Sequence, residues 1–280
     1  MRRILQLSLL IHFIAITMVA QASSADKNME LETSVCGLKE PFLFWLWSTM
    51  AGSPDKSRLS SLVGVEDISI MSADRRKLRG YKLRSRQDKL NGYLLVIQGN
   101  AILADQLLGE FLDYARAGFD VYIYDYRGYG RSQGKRRLKA IVSDIQQIIK
   151  ALNEQPYKRR MVYAFSFGGI VLLDGYDKYN LDRIVVDSSP ARLSNFGCPE
   201  RYDPVSHLPQ DCTQFMFISG GQDTVVPPVM SEQLMHKAGE CGASVVIDPD
   251  LAHPFMETDY TKHQKRMRLL KTFFLNGEDN

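Results

Sequence analysis

The chain is poor in the residues that build metal centres. Its 280 residues include five histidines and four cysteines. There is no C-x-x-C pair and no His/Cys cluster at zinc spacing, so no metal site is expected. An excess of one charge is also missing. The formal net charge is +3. Taking Arg2 and Arg3 away from the 35 basic residues leaves 33 against 32 acidic ones. That balance calls for no nucleic acid and no anionic membrane as partner. Internal repeats and long Pro/Gly linkers are absent too, which excludes a solenoid. An apolar content of 45% is enough for one large core or two small ones.

One long apolar run is present, at the start. Arg2 and Arg3 precede Ile4 to Val19, and Ala20-Gln21-Ala22 supplies a small-x-small site. This predicts an export signal over residues 1–22, cleaved after Ala22, rather than a membrane span: the run is short and contains His12. No cysteine follows the cleavage point, which argues against a bacterial lipid anchor there, and the paired arginines lack the rest of a twin-arginine motif. The mature chain is therefore expected in a periplasm or outside the cell, with no stable membrane span. An even set of cysteines (Cys36, Cys198, Cys212 and Cys241) in an exported chain suggests two disulfides with three possible connectivities. Cys198 and Cys212 flank a Pro-rich stretch and read best as one pair, leaving Cys36 for Cys241.

After a polar stretch comes Pro41-Phe42-Leu43-Phe44-Trp45-Leu46-Trp47, which holds both tryptophans. It reads either as an arm packed on the core or as an apolar patch for lipid or acyl chains, the first being preferred. From Val63 onward, elements alternate. Val65–Met71 and Leu78–Leu83 predict two antiparallel strands around the turn 73–76. Tyr93–Ile97, Val121–Tyr124, Met161–Phe165, Ile184–Val186, Phe215–Ile218 and Val245–Ile247 predict further strands. Helical spacing covers 102–117, 138–152, a stretch from about Gly169, and residues after Phe255, where the face is basic. Strand and helix in alternation predict an α/β fold: a mostly parallel central sheet with helices on both faces. In such sheets chemistry gathers in loops beyond the carboxyl ends of the strands.

Met161-Val162-Tyr163-Ala164-Phe165-Ser166-Phe167-Gly168-Gly169 is the most informative of these junctions. A serine between a strand and two glycines, with small Ala164 and Gly168 two positions to either side, fits a nucleophile elbow. A serine hydroxyl needs a base, and the base needs an orienting acid. Among four histidines of the mature chain, His236 and His263 fall in predicted helices and His207 in the irregular Cys198–Cys212 stretch. Only His253, in Asp250-Leu251-Ala252-His253-Pro254, follows the last strand. For the acid, Asp223 in Ser219-Gly220-Gly221-Gln222-Asp223 is favoured over Asp187, while Asp248 and Asp250 are too near His253 in sequence. The backbone N–H of Phe167 and of Asn100, in Gln98-Gly99-Asn100-Ala101, are the candidate oxyanion donors.

Asp125-Tyr126-Arg127-Gly128-Tyr129-Gly130-Arg131-Ser132 resembles the D-x-R-G-x-G-x-S loop of α/β-hydrolases, and Gln98-Gly99-Asn100-Ala101 resembles their H-G-N-A loop. The chain is similar to that superfamily from Val63 to its end, in the small-lid branch with serine aminopeptidase-like and monoacylglycerol lipase-like hydrolases. The resemblance implies Ser166 as nucleophile, Asp223 as acid and His253 as base, and divides the chain into an arm at 23–62 and a hydrolase domain at 63–280 with a lid near 190–212. Gln98 departs from the usual histidine and Ala164 from the usual glycine. Lys135, Arg136 and Arg137 add a basic cluster, read as a solvated helix start or as a preference for acidic substrates. The short, Pro-rich lid suggests an open site. The implied activity is hydrolysis of small-molecule acyl esters or thioesters, for which no cofactor is expected. The alternatives are a peptidase for short peptides and a non-catalytic binding protein of the same fold.

Overall fold

The computed structural model describes residues 30–176 and 179–275. The expected signal at 1–22 lies outside them. The strands are β1 (Val65–Met71), β2 (Lys77–Leu83), β3 (Gly92–Ile97), β4 (Phe119–Tyr124), β5 (Arg159–Phe165), β6 (Arg183–Asp187), β7 (Phe215–Gly220) and β8 (Ser244–Asp248). They form one sheet of eight in the order β1-β2-β4-β3-β5-β6-β7-β8. β1 and β2 run antiparallel to their neighbours, and every pairing from β4 to β8 is parallel.

Period-two alternation divides the buried side chains between two layers. Tyr93, Leu95 and Ile97 of β3 and Val162 and Ala164 of β5 face one side, with α4 (Leu138–Asn153) and α5 (Phe167–Asp174). Leu94, Val96, Met161, Tyr163 and Phe165 face the other, with α2 (Ala104–Leu107), α3 (Leu112–Arg116) and α7 (Tyr260–Leu275). The first layer also receives α6 (Pro228–Glu240) and, from the N-terminal region, α1 (Lys39–Met50), which holds the aromatic run. The single helix expected over 102–117 is interrupted by a 3₁₀ turn at Leu108–Phe111. Gly109, a weak helix former, sits in that turn, whose Leu108 and Phe111 are buried in the core.

The chain leaves β3 for β4 on one side, then returns to place β5 on the other. That reversal opens a crevice above the carboxyl ends of β3 and β5, where the Gln98 loop and Ser166 lie.

The disulfides differ from the expected pairing. Cys36 joins Cys198, and Cys212 joins Cys241. The segment between Cys198 and Cys212 consists of short 3₁₀ turns rather than a closed hairpin. Its far end is buried against the α6–β8 turn, where the Cys212 N–H donates to the Cys241 carbonyl at 2.8 Å. The segment is therefore anchored to the N-terminal arm at one end and to the sheet edge at the other. Such pairings follow from tertiary neighbours, which spacing along the chain does not encode.

Candidate active site

Ser166 ends β5 with φ +54° and ψ −122°, a left-handed conformation that costs a non-glycine residue about 1–3 kcal/mol. The turn is held by the Ser166 N–H donating to Asp187 O at 2.8 Å and by the Ser189 hydroxyl donating to Ser166 O at 2.6 Å. The same turn demands a small residue at 168: a Cβ on Gly168 would stand 2.0 Å from the Ile97 carbonyl oxygen. α5 then starts directly after the serine, at Phe167.

The Gln98 loop is seated against this elbow, with the position of a Cβ on Gly99 only 3.4 Å from Ser166 Cβ. Two bonds fix it. Gln98 Nε2 donates to Tyr124 O at 2.9 Å, and Tyr126 Oη donates to Gln98 O at 2.5 Å. The side chain in the usual histidine position is thus occupied in holding β4. The Asn100 and Phe167 N–H groups donate to no protein acceptor among the described residues, so both remain free for a ligand.

Asp223 and His253 lie in loops that follow β7 and β8 and are stitched together. Gly221 N donates to Asp248 O at 2.7 Å and Gln222 N to Leu251 O at 2.9 Å. A Cβ on Gly220 would come within 2.3 Å of Leu251 O, so the close approach requires glycine. His253 Nδ1 and Asp223 Oδ2 are 2.8 Å apart. The other carboxylate oxygen accepts from Val225 N at 2.9 Å and Val226 N at 2.8 Å. Burial pushes the Asp223 carboxyl up. The hydrogen bond and charge of His253, the Val226 amide and the Ser188 hydroxyl outweigh it and hold the group below the usual carboxylate range. Among the described residues the Ser166 hydroxyl makes no hydrogen bond of its own.

The other histidines are placed elsewhere. His207 bonds Arg201 O at 2.7 Å, His236 is exposed on α6, and His263 faces Glu110 at 3.0 Å. Asp187, the rival acid, is bound by the fully buried Arg266 at 2.5 and 2.6 Å. Asp248 and Asp250 share Lys265. Arg127, in the loop with the most specific sequence match, is fully buried between Asp74 at 2.8 Å and Asp144. It clamps the β1–β2 turn to α4, which is a structural task.

Ser166 and His253 expose only 8% and 7% of their surface. On the residue after Ser166, α1 makes contact: Phe44 and Trp47 pack on Phe167 with ring centroids at 5.3 and 6.4 Å. Of the basic cluster, Lys135 pairs with Glu32, and Arg136 donates to Ser48 of α1 at 2.9 Å. Both brace the N-terminal arm. Sequence reasoning missed Ser188, Ser189, Tyr126 and Arg266, the last donating to the Ala252 carbonyl beside His253. Ser188 and Ser189 had a signal, since they follow a strand at its carboxyl end. Arg266, in a helix remote in sequence, had none.

The chain is similar to several known proteins. Residues 105–195 match the family described as serine aminopeptidase, S33. An uncharacterized membrane protein of Saccharomyces cerevisiae is 25% identical over 189 residues, 60% of this chain and 66% of that protein. The protein bem46 of Schizosaccharomyces pombe is 27% identical over 203 residues, 64% of this chain and 66% of that protein. Among solved structures, an esterase of Pyrococcus furiosus superposes with a TM-score of 0.62 at 19% identity, covering 80% of this chain and 95% of that one. A puromycin-hydrolyzing peptidase of Mycobacterium tuberculosis gives 0.59 at 14% identity, covering 75% and 38%.

Proposed function

This chain has the α/β-hydrolase fold and a segment like the S33 serine aminopeptidases, and from these we propose that it is a serine hydrolase. Ser166 attacks the carbonyl carbon of an ester or thioester while His253 Nε2 takes the hydroxyl proton. Asp223, bonded to Nδ1, fixes the tautomer and stabilises the imidazolium. The amides of Asn100 and Phe167 donate to the oxyanion of the tetrahedral intermediate. His253 returns the proton to the leaving group, and an acyl-enzyme remains on Ser166. Water, deprotonated by His253, then releases the acid and restores the serine.

The observation that carries this reading is the 2.8 Å Asp223–His253 pair in loops after β7 and β8 of the same parallel sheet whose β5 leads into a serine in the strained elbow conformation. The disulfides within the fold, together with the export signal expected over residues 1–22, support action in a periplasm or outside the cell. A fluorophosphonate probe is expected to label the chain at Ser166, and Ser166→Ala to abolish labelling. Labelling that survives the substitution would overturn the assignment.

The S33 match favours a second reading, cleavage of short peptides. The triad serves amides as well as esters, so the substrate decides. Turnover of aminoacyl amides above that of p-nitrophenyl acyl esters would select the peptidase, and the reverse order the esterase.

A further inference from the structure

Five of the large apolar side chains left exposed share one helix. Leu38, Phe42, Trp45, Leu46 and Met50 recur at helical spacing along the outer face of α1, while Glu40, Phe44 and Ala51 turn inward. Phe42 is 59% and Trp45 52% exposed. The Cys36–Cys198 bridge brings Phe196, also exposed, to the same end of this helix. Exposed Val225 and Met256 stand on the loops that carry Asp223 and His253. An aromatic stripe of this kind marks an interaction surface.

Charge identifies the occupant. Lys39 is exposed on α1, Arg136 is bonded to Ser48 of the same helix, and Arg137 follows it. None of the three is paired with a carboxylate among the described residues, whereas Lys135 and Lys139 are paired with Glu32 and Glu30. An apolar face flanked by uncompensated cations suits a surface that is apolar within and anionic at its edge. A second copy of the chain suits it poorly, since a two-fold contact would bring the same cations together. The near-neutral net charge gave no sign of this because the excess is local.

We propose that α1 docks in the headgroup region of an anionic phospholipid bilayer, with Phe42, Trp45 and Leu46 entering the acyl boundary. Its inner side packs on Phe167, next to Ser166, so docking sets the site against lipid. Together with the hydrolase reading, on which this last point rests, the substrates are acyl esters drawn from the membrane surface.

Both tryptophans of the chain lie in α1, so fluorescence reports this helix alone. In the full chain carrying Trp47→Phe, Trp45 is titrated with vesicles of phosphatidylcholine and phosphatidylglycerol, plain or brominated on the acyl chains. The expected result is a blue shift with plain vesicles and quenching with brominated ones. Lys39→Gln should weaken vesicle affinity about fivefold and Phe42→Ser about tenfold or more, with far-ultraviolet circular dichroism unchanged. Emission indifferent to vesicles, or binding equal in Phe42→Ser, would overturn the proposal. So would self-association that Phe42→Ser abolishes in the absence of a vesicle response, which would assign the face to a second copy. The readout needs no turnover, so docking and hydrolysis can each fail without the other.

Discussion

Asp187 and Asp223 stand beyond the carboxyl ends of neighbouring parallel strands, both buried and both paired with a basic group from the C-terminal part of the chain. Their partners separate them. Asp187 faces Arg266, a guanidinium that stays charged at every accessible pH, is fully buried, and is also bonded to Glu257. Such a pair can hold a loop but cannot move a proton. Asp223 faces an imidazole whose other nitrogen remains free to exchange one. Position at the end of a strand therefore does not make an aspartate catalytic. What marks Asp223 as the candidate acid is a partner side chain that can both take up and release a proton.

The largest effect expected from breaking this contrast is on turnover. Asp223→Asn should lower kcat by about 10⁴-fold with little change in unfolding midpoint, measured by ester hydrolysis and urea denaturation. A greater loss per folded molecule from Asp187→Asn would reverse the assignment. Asp223 has a folded pKa below its ordinary value of 3.8. Its contribution to stability is thus complete above that value and lost only as pH falls through the lowered one.

Asp187→Ala should act on the fold instead. It leaves Arg266 buried with one of its two carboxylates missing, at a cost of about 3–5 kcal/mol in urea unfolding. The turnover of the molecules that remain folded should fall far less than in Asp223→Asn.

Asp125 extends the comparison to a buried carboxylate that accepts from Ala104 N at 2.9 Å and, among the described residues, has no salt-bridge partner. Burial pushes it up to about 6 from 3.8. The folded state then binds the proton more tightly than the unfolded one, so this group's contribution falls as pH rises from about 4 to about 6. The change is about 3 kcal/mol at 1.36 kcal/mol per unit. Asp125→Asn should remove that slope from the stability–pH curve. An unchanged slope would show that Asp125 is ionised throughout.

The smallest expected effect is that of Ser188→Ala. The Ser188 hydroxyl donates to Asp187 at 3.1 Å and also helps hold the Asp223 carboxyl low, so its loss should cost about 1 kcal/mol or somewhat less than tenfold in kcat and shift the acid limit of activity upward. A downward shift would mean that Ser188 does not support the carboxylate.

Much of the fold was legible. Continuous apolar runs such as Tyr93–Ile97 belong to strands buried on both faces, and the structure extends most of the expected strands by only a residue or two. The helix at 102–117 was misread because its apolar spacing masks the break at Gly109. Small residues around Ser166, paired glycines before Asp223 and a lone histidine after the last strand pointed to the candidate site, since each answers a local steric or positional demand.

The amino-acid order by itself determined the alternation of elements, the tight turn at Ser166 and the candidate acid and base, because these depend on residue size and backbone freedom within a few positions. Only the tertiary structure decided which cysteines meet, that Asp187 is neutralised by Arg266, that Gln98 is spent on β4, and that α1 packs on Phe167. Each of those is a contact between segments far apart along the chain, fixed by the complementarity of buried surfaces and charges that exist only once the layers have packed.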